Sequence, residues 1–277
     1  MKNSRWMVIV ALFAWHTTAS SWGDEGHRIT GYIANALLTA NTRQKLRDLV
    51  GTDDLSQLST ILDDQRPEWE TRFPGSSKWH YENRTICTAS TVKPPCVRDQ
   101  CITAQIERFI RALQHSQAKR SERSDAIYAL AHLIGDLHQP LHLADNNDRG
   151  GNDLWVRLPH ESEPRDLHAV WDTLLVRMNV HRRSRTRYAK DLLKNFEAQQ
   201  SFWLQGNVQS WAQETYLLGK SYAYEALPHF ACGVRHGNVV ALTDDYVKHA
   251  RRIVEEQLTK SGLRLALVLN KALGGER

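Results

Sequence analysis

The chain has 277 residues, which is enough to bury one large core and does not require two domains. It carries 36 Lys and Arg against 31 Asp and Glu, a formal net charge of +5 that falls to +3 when Lys2 and Arg5 are left out. This near balance argues against a protein that coats duplex nucleic acid, because such domains usually carry a clustered basic face.

Residues 1–21 have the pattern of a secretory signal peptide. Two basic residues are followed by an apolar run from Met7 to Trp15, and small residues precede a cut before Trp22. The run is too short to be a permanent membrane anchor, and no later segment approaches eighteen apolar residues. We therefore expect a secreted or periplasmic protein that starts at Trp22 and has no stable membrane association.

The four cysteines are even in number and follow a predicted export signal, so disulfides are the expected chemistry. They are Cys87, Cys96, Cys101 and Cys232. A zinc ribbon is disfavoured because the sequence has no Cys-x-x-Cys pair. Four cysteines allow three pairings, and their count does not choose among them.

Apolar residues recur at helical spacing along most of the chain. The predicted helices cover residues 27–50, 101–119, 124–144, 167–180, 187–204, 208–226 and 243–270. Ser124 with Asp125 is predicted to cap the third helix, and Thr243 with the following aspartates the last. Strand alternation is limited to short pieces near 79–86 and 153–158. The sequence thus predicts a mainly α single domain over residues 22–277.

One block, from Ala131 to His142, carries most of the chemical information. His132 and Asp136 are four residues apart, so both side chains leave one face of a helix at a distance that one metal ion can bridge. Pro140 should end that helix, which lets His142 turn toward the same cavity or a neighbouring one. His138 is predicted not to bind an ion itself but either to contact a metal ligand or to lie at the surface.

The same spacing recurs in His168 and Asp172. Imidazole with carboxylate and without thiolate favours zinc, ahead of manganese or iron. The aspartates lie among large apolar residues, where an unpaired buried carboxylate is costly and needs a partner. Ordinary His–Asp hydrogen bonds are the alternative, which two such pairs and a third histidine make less favourable.

Two further segments supply donors of the same kind. The mature chain would begin Trp-Gly-Asp-Glu-Gly-His at Trp22, and its free α-amino group can act as a ligand when deprotonated. Asp63-Asp64-Gln65-Arg66 and the later Trp79-His80-Tyr81-Glu82-Asn83 add a carboxylate and an imidazole.

These motifs, in this order, resemble the zinc-dependent single-strand-specific nuclease and 3′-nucleotidase family, which includes mung bean nuclease and the fungal S-one and P-one enzymes. The match runs from Trp22 to at least Asp172. It comprises Trp-Gly-x-x-Gly-His, Asp-x-x-Arg, His-Tyr-x-Asn, His-x-x-x-Asp-x-His-Gln-Pro-Leu-His, Gly-Gly-Asn and Leu-His-x-x-Trp-Asp.

The resemblance implies a helical domain of the phospholipase C and zinc nuclease type, built around three zinc ions. The implied ligands are Asp63, His80, His132 and Asp136 for the first ion; Trp22 through its amino and carbonyl groups, His27 and Asp136 for the second; and His142, His168 and Asp172 for the third. Asp136 would bridge two ions, which together activate water for attack on phosphorus.

The resemblance also implies how substrate is held. Arg66 and Asn152 match positions that contact phosphate, and a guanidinium suits that role through its planar set of donors. Tyr81 matches a position on which a base stacks, with Asn83 beside it. Asp63 is preferred to the adjacent Asp64 as ligand because it stands in register with Arg66. Asp63, Asp136 and Arg66 are thus the expected catalytic residues.

The implied activity is endonucleolytic hydrolysis of single-stranded DNA and RNA to 5′-phosphate products, together with 3′-nucleotidase activity, by a monomer. The implied disulfides are Cys87–Cys232 and Cys96–Cys101. Asn83-Arg84-Thr85 is formally a glycosylation sequon, which we interpret as coincidental because a glycan there would block the site.

Two other functions remain open at this point. A phospholipase C shares the three-zinc scaffold, but Tyr81 followed by Asn83 suits a nucleobase better than choline. A catalytically silent zinc-binding or adhesion protein would lack a ligand, and none is missing from the sequence.

Overall fold

The computed structural model describes residues 22–87, 96–233 and 237–274, and the predicted signal peptide lies outside these ranges. The described chain is mainly α-helical, as predicted. Its α-helices are α1 Asp24–Asn35, α2 Ala40–Val50, α3 Leu55–Leu58, α4 Ile61–Asp64, α5 Arg66–Arg72, α6 Ile102–Gln114, α7 Arg120–Leu137, α8 Pro140–Leu143, α9 Leu167–Ala169, α10 Leu175–Val180, α11 Arg185–Asn195, α12 Gln200–Trp203, α13 Val208–Leu218 and α14 Asp244–Gly274.

Shorter elements connect these helices. They are 3₁₀ turns at Ser76–Lys78 and Glu197–Gln199, π-helical turns at Val170–Leu174 and Gly219–Tyr224, and strands β1 Arg84–Thr85, β2 Ala144–Asp145, β3 Trp155–Arg157, β4 Arg165–Asp166 and β5 Val240–Ala241. β1 pairs with β2 in parallel, while β3 lies between antiparallel β4 and parallel β5. The strand pieces expected near 79–86 and 153–158 correspond to β1 and β3.

Several sequence expectations about helix boundaries were wrong; the helix predicted over 187–204, for example, is divided into α11 and α12. The predicted helix over 27–50 is divided into α1 and α2, because the Thr39 hydroxyl accepts a hydrogen bond from Thr42 N and starts a new helix. Ser124 and Asp125 do not cap α7, which begins one turn earlier, where the Glu122 carboxylate accepts from Lys119 N. At the other end of the chain Thr243 does cap α14, since its hydroxyl accepts from Tyr246 N.

Helix α7 forms the centre of the fold. From residue 125 onward only Tyr128 is not fully buried, and the helix packs against α6, α14 and α2. Side chains on nearly every face are apolar, which is typical of a core helix. His132 and Asp136 are the ionisable residues in its last two turns, so the fold places them in a buried environment where each needs a polar partner.

Two disulfides close the loops around this core. Cys87 is bonded to Cys232 and Cys96 to Cys101, which are the pairs that the resemblance implies. Among the described residues, no helix combines the length and the apolar composition needed to span a bilayer.

Candidate metal centre

The carboxylate of Asp136 lies at the centre of a group of imidazoles. Its side chain is fully buried, and Oδ2 lies 2.9 Å from His80 Nδ1 and 3.1 Å from His132 Nε2. Oδ1 lies 3.3 Å from His27 Nε2. Since His27 comes from α1 and His80 from the segment after the first 3₁₀ turn, three parts of the chain meet at this carboxylate.

Asp63 at the end of α4 completes this part of the centre. Its Oδ1 lies 3.8 Å from His132 Nε2 and 4.0 Å from His80 Nδ1. Donor atoms within 4.8 Å of one another form two overlapping groups. The first is His27, Asp63 and His132, and the second is His80, His132 and Asp136.

A third group lies directly beside the first two. His168 Nε2 is 3.1 Å from Asp172 Oδ2, and His142 Nε2 is 3.9 Å from Asp172 Oδ1. His142 also lies 3.7 Å, through Nδ1, from Asp136 Oδ1. As predicted, α7 ends before Pro140 and the short helix α8 turns His142 toward the cavity. The predicted His and Asp ligands therefore form one continuous cluster.

Backbone carbonyls fix the orientation of three of these imidazoles. Nδ1 of His132 donates to Ser59 O at 2.7 Å, Nδ1 of His142 to His80 O at 2.8 Å, and Nδ1 of His168 to Gly150 O at 2.7 Å. A ring that donates through Nδ1 presents Nε2 as its acceptor, which is the arrangement that metal-binding histidines commonly show.

The charges of this cluster perturb its titration. Burial acts to lower the pKa of His132, but the carboxylates of Asp136 and Asp63 outweigh it and raise that pKa to about 9. Burial also acts to lower the pKa of His168, but the carboxylate of Asp172 outweighs it and raises that pKa to about 9. Burial lowers the pKa of His142 to about 4. The carboxylates thus attract positive charge, which protons supply when no cation is bound.

The donor set fits a group of divalent cations. Asp136 Oδ1 is buried and accepts no hydrogen bond, although a buried carboxylate oxygen ordinarily does. Imidazole nitrogens and carboxylate oxygens surround it, and no thiolate is among them, which is the ligand chemistry that zinc takes. Burial of this many polar groups together is costly unless a cation or proton pairs them.

Trp22 lies against the same cluster. Its side chain is fully buried and packs near Gly26 and Gly135, and Gly23 N donates to Asp172 O at 3.1 Å. Trp22 and Gly23 therefore lie beside the donor groups that contain His27 and Asp172. This is the position expected for the amino terminus of the mature chain.

The glycine at position 135 allows α1 and α7 to approach closely. A Cβ placed there would lie 2.9 Å from His27 Nδ1, closer than such contacts normally are. Alanine usually stabilises a helix interior by about 1 kcal/mol relative to glycine. At this position it should instead displace the His27 ring.

We expect Gly135→Ala to lose zinc and roughly 10–100-fold in activity, the range found when a metal ligand is poorly oriented. Gly274→Ala is the matched control, because nothing lies within 4 Å of the added methyl. Zinc per chain by mass spectrometry and the rate of hydrolysis are the measurements. Unchanged zinc content and rate in Gly135→Ala would contradict the position of His27 in the cluster.

The residues expected to contact substrate line a cavity of about 160 Å³ over the cluster. Arg66, Tyr81, Asn83 and Asn152 line it together with His80, His142 and His168. The Arg66 guanidinium also pairs with Asp63. Tyr81 is 39% exposed, so its ring presents a flat surface at the cavity.

Three further residues of this region were not found from the sequence. The Gln139 amide donates to Asp172, and Ser77 and Arg149 line the cavity. Arg149 directly precedes the Gly-Gly-Asn motif, which was the available signal. His138 is in none of the donor groups, and a surface position is wrong, because the side chain is buried and its Nε2 accepts from Arg264 Nη1 at 2.9 Å.

Comparison with known proteins agrees with this geometry. Residues 22–274 match the family model described as S1/P1 Nuclease. Endonuclease 1 of Arabidopsis thaliana is 28% identical over 94% of this chain and 90% of its own length. Nuclease S1 of Aspergillus oryzae is 24% identical over 90% of this chain and 91% of its own. Nuclease P1 of Penicillium citrinum is 26% identical over 92% of this chain and 99% of its own. The chain belongs to the S1/P1 nuclease family and is a hydrolase that acts on phosphodiester bonds.

Proposed function

We propose that the chain is an exported, monomeric endonuclease that uses three zinc ions to hydrolyse single-stranded DNA and RNA to 5′-phosphate products. We further propose that it removes the phosphate of 3′-nucleotides. The observation that carries the proposal is the position of Tyr81, an exposed aromatic ring on the wall of the cavity that His80, His142 and His168 line. A base and a metal-bound phosphate would lie side by side there.

The proposed ligand sets use the residues of the three donor groups, but they place His27 with Asp136 rather than with Asp63 and His132. Asp63, His80, His132 and Asp136 would hold one ion, and Trp22 with His27 and Asp136 a second. His142, His168 and Asp172 would hold the third. Bound zinc supplies Lewis-acid chemistry, because it lowers the pKa of water and neutralises charge that develops on phosphate oxygens.

The protein's own groups orient the reacting parts. The imidazoles are fixed by hydrogen bonds to Ser59, His80 and Gly150 carbonyls, so little reorganisation accompanies ion or substrate binding. Arg66 is held by Asp63 at the wall of the cavity, where its remaining N–H donors can bind phosphate oxygens. Asn152 adds an amide at the same cavity.

Export is part of the proposal, with residues 1–21 as a signal peptide removed before Trp22. The two disulfides support it, because disulfides form and persist mainly in oxidising compartments such as the periplasm and the cell exterior.

We expect single strands to be cut at least about 100-fold faster than duplex. A base must leave the stack to reach Tyr81, and unstacking costs a few kcal/mol in a duplex, equivalent to roughly that ratio. The measurement is the initial rate on one DNA strand with and without its complement, at 25 °C and constant salt. Equal rates would contradict the proposal.

Tyr81→Ala tests the same proposal at the level of one contact. Base stacking contributes about 1–3 kcal/mol, so KM should rise while zinc content stays at the wild-type value.

Hydrolysis of phosphatidylcholine vesicles tests the alternative function. Their hydrolysis at a rate comparable to that of single-stranded DNA would favour a phospholipase C instead.

A further inference from the structure

A second cavity shares Tyr81 with the cavity over the metal centre. Its volume is about 600 Å³, and its other lining residues include Lys78, Val97 and Arg98. None of the predicted metal ligands lines it, so it lies outside the metal centre itself. We call it the Lys78–Arg98 pocket.

The surface of this pocket combines positive charge with apolar area. Lys78 and Arg98 are exposed, and no carboxylate is among the lining residues. Val97 is 56% exposed and Tyr81 is 39% exposed, both large fractions for such side chains. Cations beside an exposed aromatic and an aliphatic surface suit a ligand that has both a phosphate and a base.

One wall of the pocket is a tightly bonded turn. The Glu70 carboxylate accepts from Gly75 N at 2.7 Å, from Ser77 N at 3.0 Å and from Ser76 Oγ at 3.1 Å. These hydrogen bonds hold the backbone that carries Lys78. Because Ser77 lines the cavity over the metal centre and Lys78 lines the pocket, this one turn connects the two.

The other wall is a loop closed by the Cys96–Cys101 disulfide, which carries Val97 and Arg98. Ile102 N, directly after this loop, donates to Tyr81 O at 3.2 Å. The Gln100 side chain joins the two walls, since its Oε1 accepts from Trp79 Nε1 at 2.8 Å. The pocket is therefore built from segments fixed to each other and to Tyr81.

We propose that the Lys78–Arg98 pocket binds the nucleotide adjacent, along the same strand, to the nucleotide stacked on Tyr81. This inference rests on the proposed function. The two cavities lie on either side of one shared residue, Tyr81, so a single strand that passes Tyr81 would bring its next phosphodiester to Lys78 and Arg98. The next base then contacts Tyr81 or Val97.

This second subsite favours long substrates over short ones. A 3′-mononucleotide fills only the cavity over the metal centre, whereas an oligonucleotide gains the additional phosphate and base contacts. The pocket thus contributes binding energy to endonucleolytic cleavage without touching the atoms that react.

The test compares the double variant Lys78→Ala, Arg98→Ala with the wild-type holoenzyme on thymidine 3′-monophosphate and on an octathymidylate. We expect kcat/KM for the octamer to fall at least about tenfold more than for the monophosphate, because phosphate and stacking contacts are lost. The slope of log KM against log salt for the octamer should become shallower by about 0.7, the value for one phosphate contact on a single strand.

Arg187→Ala, Lys190→Ala is the matched control, since it removes two exposed cations from α11, which lines neither cavity. It should leave both the substrate ratio and the salt slope at wild-type values. An equal loss of octamer preference in this control would overturn the proposal, because net charge alone would then account for the effect.

Octamers with one neutral methylphosphonate test the phosphate contact itself. Two such octamers are compared, one with the methylphosphonate on the 5′ side of the cleaved bond and one with it on the 3′ side. In one of them the substitution should reduce kcat/KM of the wild type but have little effect on kcat/KM of the double variant. Equal losses in both proteins would overturn the pocket alone. A wild type that cleaves the monophosphate but not the octamer would overturn the endonuclease function as well.

Discussion

Asp136→Asn should reduce hydrolysis by about 10⁴-fold, which corresponds to roughly 5–6 kcal/mol of activation free energy. The Asp136 carboxylate lies within 3.3 Å of imidazole nitrogens from His27, His80 and His132, so both of its oxygens serve the cluster. An amide keeps one neutral oxygen and turns an N–H donor toward an imidazole. The ions proposed to share this carboxylate would then lose their common ligand.

Asp172→Asn is the informative comparison. Asp172 contacts imidazoles of its own donor group alone, His142 and His168, whereas Asp136 also contacts imidazoles of both neighbouring groups. We therefore expect a loss of about 10²-fold, or roughly 3 kcal/mol, in Asp172→Asn. Asp125→Asn is the control on the same helix as Asp136, since Asp125 pairs with Arg72 and is in none of the donor groups. Rates are compared at matched zinc content. Similar residual rates in Asp136→Asn and Asp172→Asn would contradict a bridging role.

The cluster was predictable from the sequence where its ligands are close together in the chain. His132 with Asp136, and His168 with Asp172, follow the spacing that puts two side chains on one helical face. The contacts between groups, such as His142 with Asp136, depend on the turn after α7 and on packing. The carbonyls that orient the imidazoles carry no sequence signal, because every residue has one.

The fold was predictable in its class and less so in its boundaries. Apolar spacing continues through the break between α1 and α2, so periodicity alone does not reveal the new start at Thr39. Helices α3 and α4 have four residues each and α5 has seven, shorter than the window over which a helical period is recognisable. They matter nonetheless, because α4 carries Asp63.

The start of α7 shows how tertiary contacts override local signals. Ser124 and Asp125 have the residue types of a helix N-cap. In the structure the Ser124 hydroxyl instead donates to the Arg120 and Leu49 carbonyls, and Asp125 pairs with Arg72. Both residues therefore bind other elements from within the helix.

A single residue added before Trp22 should reduce the rate by about 10³-fold, roughly 4 kcal/mol, while the protein stays folded. The amino nitrogen of Trp22 is proposed as a ligand of the ion shared with His27 and Asp136. An added residue converts that amine to a peptide nitrogen, whose lone pair is delocalised into the carbonyl and does not bind metal. The buried Trp22 ring and the bond from Gly23 N to Asp172 O leave little freedom for another group to take its place.

The experiment uses one protein in two forms, with a protease site placed so that cleavage exposes Trp22 as the first residue. Zinc per chain and the rate on single-stranded DNA are measured before and after the cut. We expect two ions and a low rate before cleavage, and three ions and the full rate afterwards. The Tm of the two forms should differ by only a few degrees, because most of the core does not involve the amino terminus.

Recovery of the rate on cleavage would attribute the loss to the blocked amine rather than to misfolding. Three ions and full activity in the uncut form would show that the amino group is not a ligand, and the proposed three-ion centre would then need another donor beside His27 and Asp136.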